Sequence, residues 1–275
     1  MDLELQKIVD QPISIANKVL YDICKNSGEY SWGSGTFLGG KIWLIGRSYA
    51  ASPERRYYKK PDFKGKLELD KVGDGKGEYF DEIGTYIVDK SPEYKELLAL
   101  VENLQDKFEF NGIKSDSDND AVLLKKVVKA VDLLNKIVKK ASKDYDDRNN
   151  KKIKDNVDYR NQISFCSKFL QFHCPHTVFI IDSFTQTAAK LLFSSKNKKQ
   201  LYIGKQKINE EFKNEIKKYL PECSLESSDI TKDYENMCKR SYAVCCYIKK
   251  SKLNKSKITY YPRISDCFFQ NIKSK

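Results

Sequence analysis

From Ala121 to Ala141 the apolar residues Leu124, Val127, Val128, Val131, Leu134 and Val138 recur three or four apart, which predicts a helix with one buried face. Ser91-Pro92 supplies a start signal for another, with serine as N-cap and proline at the first position. That helix would turn Leu97, Leu98, Val101, Leu104 and Phe108 inward. Leu3 to Cys24 reads as a helix interrupted at Pro12, with Ile15, Val19, Leu20 and Ile23 on its apolar side. Helical spacing also marks residues 78–88 and 209–220, the latter ended by Pro221. In 229–247 it places Ile230, Tyr234, Met237, Cys238, Ser241 and Cys245 on one face, and in 265–272 it groups Phe268, Phe269 and Ile272. Lys41 to Ala51 is apolar enough to be buried as strand or helix; its helical surroundings favour helix.

Between these segments the chain turns polar. Ser27 to Gly40 carries five of the thirteen glycines and reads as a structured loop. Residues 60–78 read as a long loop with a short hairpin around Lys66 to Val72, 115–120 as an acidic linker, and 144–158 as an almost wholly polar stretch. There are no internal repeats and no heptads, and β signals are sparse. The pattern predicts a mainly α protein, one two-lobed helical domain with a central cleft. Lobe A would hold about 1–60 plus 205–275 and lobe B about 90–204, with 60–78 as a loop.

One stretch organises the rest. In Ser164 to Phe193, Phe165, Phe169 and Phe172 share one helical face, and Ser164, Ser167, Lys168 and Gln171 turn away from it. Pro175 ends that helix, Val178 to Ile181 form an apolar run, and Asp182 follows. Phe184, Ala188, Leu191 and Leu192 then resume helical spacing, so Asp182 sits where an N-cap belongs. Free N–H groups and the partial positive charge of a helix start would fix this carboxylate's direction.

Composition narrows the function classes. Lys+Arg 50 against Asp+Glu 38 gives a net charge of +12, which favours polyanionic partners or simply makes a solvated lysine-rich surface. The opening MDLELQKIVDQ has no basic region followed by an apolar stretch, so no signal peptide is expected. No run of ~20 apolar residues marks a membrane span. The eight cysteines lack regular spacing and read as buried or free thiols in a reducing cytoplasm. Walker A, G-x-G-x-x-G, G-x-S-x-G and H-E-x-x-H are all missing, so nucleotide hydrolysis, dinucleotide binding, serine hydrolysis and metalloprotease chemistry lack their signatures. Cys166, His173, Cys174 and His176 do not match paired zinc-ligand spacing, and no metal or cofactor is expected.

The order of small-residue helix, Lys/His-Pro, apolar run, aspartate and helix resembles the second half of the helix-hairpin-helix DNA glycosylase superfamily, over about thirty residues. There an essential aspartate caps the helix after the hairpin, and Asp182 matches it. Members usually open the hairpin with Leu-Pro-Gly-x-Gly, whereas Asn156 to Gln162 contains no glycine or proline. Bifunctional members carry a lysine nucleophile where this chain has Ile163 or Ser164, so the resemblance implies a monofunctional enzyme. It implies a monomer that binds double-stranded DNA, flips out one nucleotide and hydrolyses its N-glycosidic bond, in repair or antiphage defence.

Within that reading Asp182 would orient water and stabilise the oxocarbenium-like sugar; the alternative is an ordinary capping aspartate. Arg47, Tyr49 and Trp32 are candidates for the base pocket, because Arg47 interrupts an apolar segment and Trp32 lies in a glycine loop, exposed for stacking. For Arg47 a structural ion pair is the alternative. DNA contacts fall to Arg160, Asn161, Gln162, Lys168 and His173 around the hairpin, and to Arg55 and Arg56. The basic runs Arg148 to Lys154, Lys196 to Lys207 and Lys249 to Lys257 read as phosphate rails or as solvated surface. A non-catalytic nucleic-acid-binding or regulatory helical protein is the rival reading, and a partner-binding module without nucleic-acid affinity is a third.

Overall fold

Apolar periodicity governs most of the chain. The computed structural model describes residues 1–25, 32–49, 51, 57–59, 77–149, 157–194, 199–223, 225, 231–256, 258 and 260–274. Among them run helices α1 (Asp2–Val9), α2 (Ile15–Lys25), α3 (Gly35–Ser48), α4 (Gly77–Thr85), α5 (Tyr94–Asn103) and α6 (Asn119–Asn149). There follow α7 (Ile163–His173), α8 (Ser183–Phe193), α9 (Glu210–Lys217), α10 (Lys232–Lys250) and α11 (Tyr261–Gln270). Sheet is sparse. Strand β1 (Tyr57–Lys59) pairs antiparallel with β2 (Val157–Tyr159), and β3 (Leu201–Ile203) lies between β4 (Gln206–Lys207) and β5 (Ile272–Ser274). The protein is mainly helical, and no helix among the described residues is long and apolar enough to cross a membrane.

The segments group into two compact units. Unit 1 comprises 1–17, 103–129 and 174–275; unit 2 comprises 18–102 and 130–173. The expected lobes assigned segments differently, placing 18–60 with the C-terminal part and 174–204 with the middle of the chain. Contacts far apart in sequence decide this grouping, and local periodicity does not encode them.

In unit 1, α10 is the central helix, with α8, α9 and α11 packed around it. Tyr234, Met237, Cys238, Ser241 and Cys245 all face inward, as their spacing predicts; Ile230 lies outside the described residues. Asp120 anchors the loop before α6. Its carboxylate accepts from the Glu109 and Phe110 amides, both at 2.8 Å, and from the Tyr242 hydroxyl at 2.5 Å. These bonds hold Phe110 in the left-handed region, at φ 52.

In unit 2 the glycine-rich segment does not form a loop along its whole length. Ser34 caps α3, and Gly35 and Gly39 fall inside that helix, against α4. A Cβ on Gly84 would lie 2.0 Å from the Gly35 carbonyl oxygen, and one on Gly39 would lie 2.6 Å from that of Phe80. These glycines let two helix backbones approach closely. Helix α6, whose residues up to 129 belong to unit 1 and the rest to unit 2, keeps the inward face read from its sequence: Leu124, Val127, Val128, Val131, Leu134 and Val138 are each at most 2 % exposed. Burying each contributes about 1.5–3 kcal/mol.

Other expectations shift. Pro12 separates α1 from α2 as two helices, and Ile15 and Val19 are exposed. The buried face of α2 is Asn17, Leu20, Tyr21 and Cys24, one residue round from the expected one. Helix α5 starts at Tyr94, and Phe108, though buried, lies beyond its end. Helix α6 continues through part of the polar stretch to Asn149, where Arg148 bonds Asp144 at 2.9 Å and Glu82 at 2.8 Å. The expected hairpin at 66–72 lies outside the described residues.

Candidate functional site

The organising stretch folds in the order its sequence predicts. Helix α7 ends at His173; the amides of Thr177 and Val178 turn back to the Cys174 carbonyl, and the Thr177 hydroxyl donates to the Leu104 carbonyl at 2.7 Å. Val178, Phe179, Ile180 and Ile181 are all buried, with Phe179 stacked on Phe108 and its carbonyl accepting from the Tyr234 hydroxyl at 2.9 Å. This run delivers Asp182 from the interior of unit 1 to a part-exposed position at the start of α8.

Asp182 has extended backbone, φ −141 and ψ 172, as an N-cap requires. Its Oδ1 accepts from the Thr185 amide at 2.8 Å and from the Thr185 hydroxyl at 3.1 Å, while the Asp182 amide donates back to that hydroxyl at 3.1 Å. Such a reciprocal box locks the carboxylate's orientation. The spacing Asp-x-x-Thr signals it in the sequence. Phe184, expected on the apolar face of α8, is 55 % exposed instead.

Helix α7, in unit 2, is buried on every side from Phe165 to His173. Its polar side was expected to turn away from the core, yet Ser167 is 0 % exposed, Gln171 1 % and Lys168 5 %. Lys168 therefore does not lie on a surface available to a DNA backbone, and its ammonium sits 5.6 Å from the Tyr49 ring centroid. His173 is also enclosed. Its Nδ1 faces the Phe169 carbonyl at 2.9 Å and so carries the proton, and burial pushes its pKa down to about 3. An uncharged, buried imidazole cannot serve as a phosphate contact.

Trp32 corrects another expectation. It is 2 % exposed, edge-on to Phe169 at 5.3 Å and tilted against His173 at 5.6 Å, so it offers no stacking face. Arg47 lies on the exposed side of the last turn of α3, which removes the burial cost that singled it out. Tyr49, the C-cap of α3, is part-exposed and packs on Phe172 at 5.4 Å. Unit 2 thus brings together two pairs of the expected site residues, Tyr49 with Lys168 and Trp32 with His173. Lys41, which sequence reasoning passed over, is 2 % exposed, and burial pushes its amine pKa down.

The link before α7 is not a tight helical hairpin turn, because Val157–Tyr159 forms strand β2. Arg160 is part-exposed and Asn161 exposed. Gln162 is buried, its amide donating to Asn135 Oδ1 at 2.6 Å, so it does not contribute to a DNA-contacting surface. Arg55 and Arg56 lie outside the described residues. Of the basic runs, Arg148 is engaged in ion pairs and Lys249 holds the Glu109 carbonyl, whereas Lys199, Lys205 and Lys207 are exposed. Among the described residues no group of three or more His, Cys, Asp or Glu is placed to hold a metal. Compared with family models, with curated proteins and with solved structures, the chain matches none.

Proposed function

We propose that this protein is a monofunctional DNA N-glycosylase that keeps the capping aspartate of the helix-hairpin-helix enzymes without their hairpin turn, acting as a monomer on one base of duplex DNA in a reducing cytoplasm. The observation that carries the reading is the mount of Asp182: a buried lead-in, a locked carboxylate and a rigid helix behind it. In this reaction the bond from C1′ to the base nitrogen breaks, and the base takes the electron pair. The sugar develops positive charge, which a fixed anion stabilises. Water then bonds to C1′ as its proton passes to the carboxylate and on to the departing base. The net charge of +12 supports approach to a polyanion.

Asp182→Asn is the test, scored as abasic sites formed on a panel of modified duplexes. Asparagine caps a helix as well as aspartate does, so the fold should persist while base release falls roughly 100-fold or more. Equal activity in both proteins removes Asp182 from the reaction.

A second reading draws on the same geometry. Both bonds from Thr185 fall on Oδ1, so the carboxylate already has a structural task. A nucleic-acid-binding protein without catalysis would retain duplex DNA in a salt-sensitive way and release no base from any substrate. A partner-binding module would show a negligible salt slope.

A further inference from the structure

The sheet β4–β3–β5, which belongs to unit 1, has one side in the core and one side open. Leu201, Ile203 and Ile272 are each at most 4 % exposed and form the inner side. Side chains alternate along a strand, so Tyr202 stands on the outer side. The antiparallel register sets Tyr202 opposite Lys207 on β4 and opposite Lys273 on β5. Residues directly opposite share a face, with Cβ atoms about 5 Å apart, so one tyrosine has a lysine on each flank. Both lysines are exposed and Tyr202 is part-exposed, its hydroxyl donating to Gln200 Oε1 at 2.8 Å. Lys205 adds another exposed cation at the turn after β3, beside Gly204.

Charge sets this face apart. Lysines such as Lys136, Lys140 and Lys190 stand beside acids, on Asp132 at 2.6 Å, Glu93 at 3.6 Å and Asp233 at 3.5 Å. Lys205, Lys207 and Lys273 have no acidic partner among the described residues. The sequence contains no Asp or Glu from Ser183 to Asn209 or from Cys267 to Lys275. Glu4, whose carboxylate lies against Gly204, is engaged by Lys7 at 2.7 Å. Cations without internal counterions, placed around an aromatic ring, suit a partner that carries both repeated negative charge and flat rings. A duplex closes its base faces in the stack, whereas an unpaired strand leaves them open.

We propose that this sheet face binds an unpaired nucleic-acid strand, with one base stacked on Tyr202 and the neighbouring phosphates on Lys207 and Lys273. Lys205 extends the track past the turn. Lysine–phosphate bonds and stacking on a ring carry no base code, so binding tolerates any sequence. This face goes beyond the glycosylase reading and does not depend on it.

The probe is a fluorescent oligothymidylate of about 15 nucleotides, titrated by anisotropy into the full chain at several salt concentrations, beside a duplex of equal length. The single strand is expected to bind more tightly than the duplex. Lys207→Gln combined with Lys273→Gln should weaken it roughly tenfold or more. The slope of log affinity against log salt should shrink by about 1.4, at about 0.7 for each phosphate lost. Tyr202→Leu should weaken binding roughly fivefold or more and leave the slope unchanged, whereas Tyr202→Phe should keep native affinity. The exposed lysine pair tests the face even where Tyr202→Leu disturbs β3. An unchanged slope in the lysine pair overturns the proposal, as does equal affinity for strand and duplex. Binding to vesicles of phosphatidylserine and phosphatidylcholine in place of the oligonucleotide also overturns it, and makes this a membrane-facing surface. The two proposals fail separately: equal base release in Asp182→Asn leaves this face standing, and failure of the face leaves the Asp182→Asn test untouched.

Discussion

His173 is held neutral by folding, and that has a measurable price in acid. An unfolded histidine gains its proton near 6.5, whereas burial keeps the folded one unprotonated down to about pH 3. Its depressed pKa means the contribution is fully present above 6.5 and is lost as pH falls through that window. The loss is about 1.4 kcal/mol per pH unit at its steepest. Urea unfolding at a series of pH values should therefore show a decline below 6.5 that is shallower in His173→Phe; identical slopes would mean the ring is protonated in the folded state. Residue-level legibility splits along the same line. The capping role of Asp182 could be read from its sequence because a cap is local, needing only Thr185 three residues on. The burial of Trp32 could not, since Phe169 and Tyr94 enclose it from distant parts of the chain.

At the scale of elements, α3 and α4 meet backbone to backbone, and their glycines make a sharp prediction. A methyl group at position 84 would meet the Gly35 carbonyl at 2.0 Å and the Gly39 amide nitrogen at 2.5 Å, both backbone atoms that cannot swing aside. Gly84→Ala is expected to cost about 3 kcal/mol in denaturant unfolding. Gly40→Ala, on the open side of α3 with no atom within 4 Å, should instead stabilise by roughly 0.5–1 kcal/mol. If both substitutions have the same effect, the two backbones are not in contact. Sequence reading saw Gly35, Gly39 and Gly40 only as loop-formers, because composition does not separate a flexible segment from a packing surface. It located α6, α8 and α10 because their apolar spacing is long and regular. It misjudged α2, where Pro12 hid the start of the helix and the inward face was read one position off.

For the whole molecule, mainly helical character was legible from the many segments with a 3.6-residue period. The grouping into units was not, because 18–102 associates with 130–173 through packing that no local pattern records. Net charge also misled in detail. It is a property of the entire surface, and it does not reveal that Lys168 is enclosed or that Arg148 is bonded to Glu82 and Asp144. Another whole-chain property can be put to use. All eight cysteines are unbridged and buried, and burial pushes the Cys24 and Cys246 thiols up to about 12. Only a thiolate attacks a disulfide reagent, so the folded chain should ignore one almost completely until it opens. Colour released from an aromatic disulfide dye then becomes a built-in clock for opening, with no introduced label. Eight equivalents appearing in one slow phase would show a single cooperative event, whereas two well-separated bursts would show that part of the chain comes apart alone.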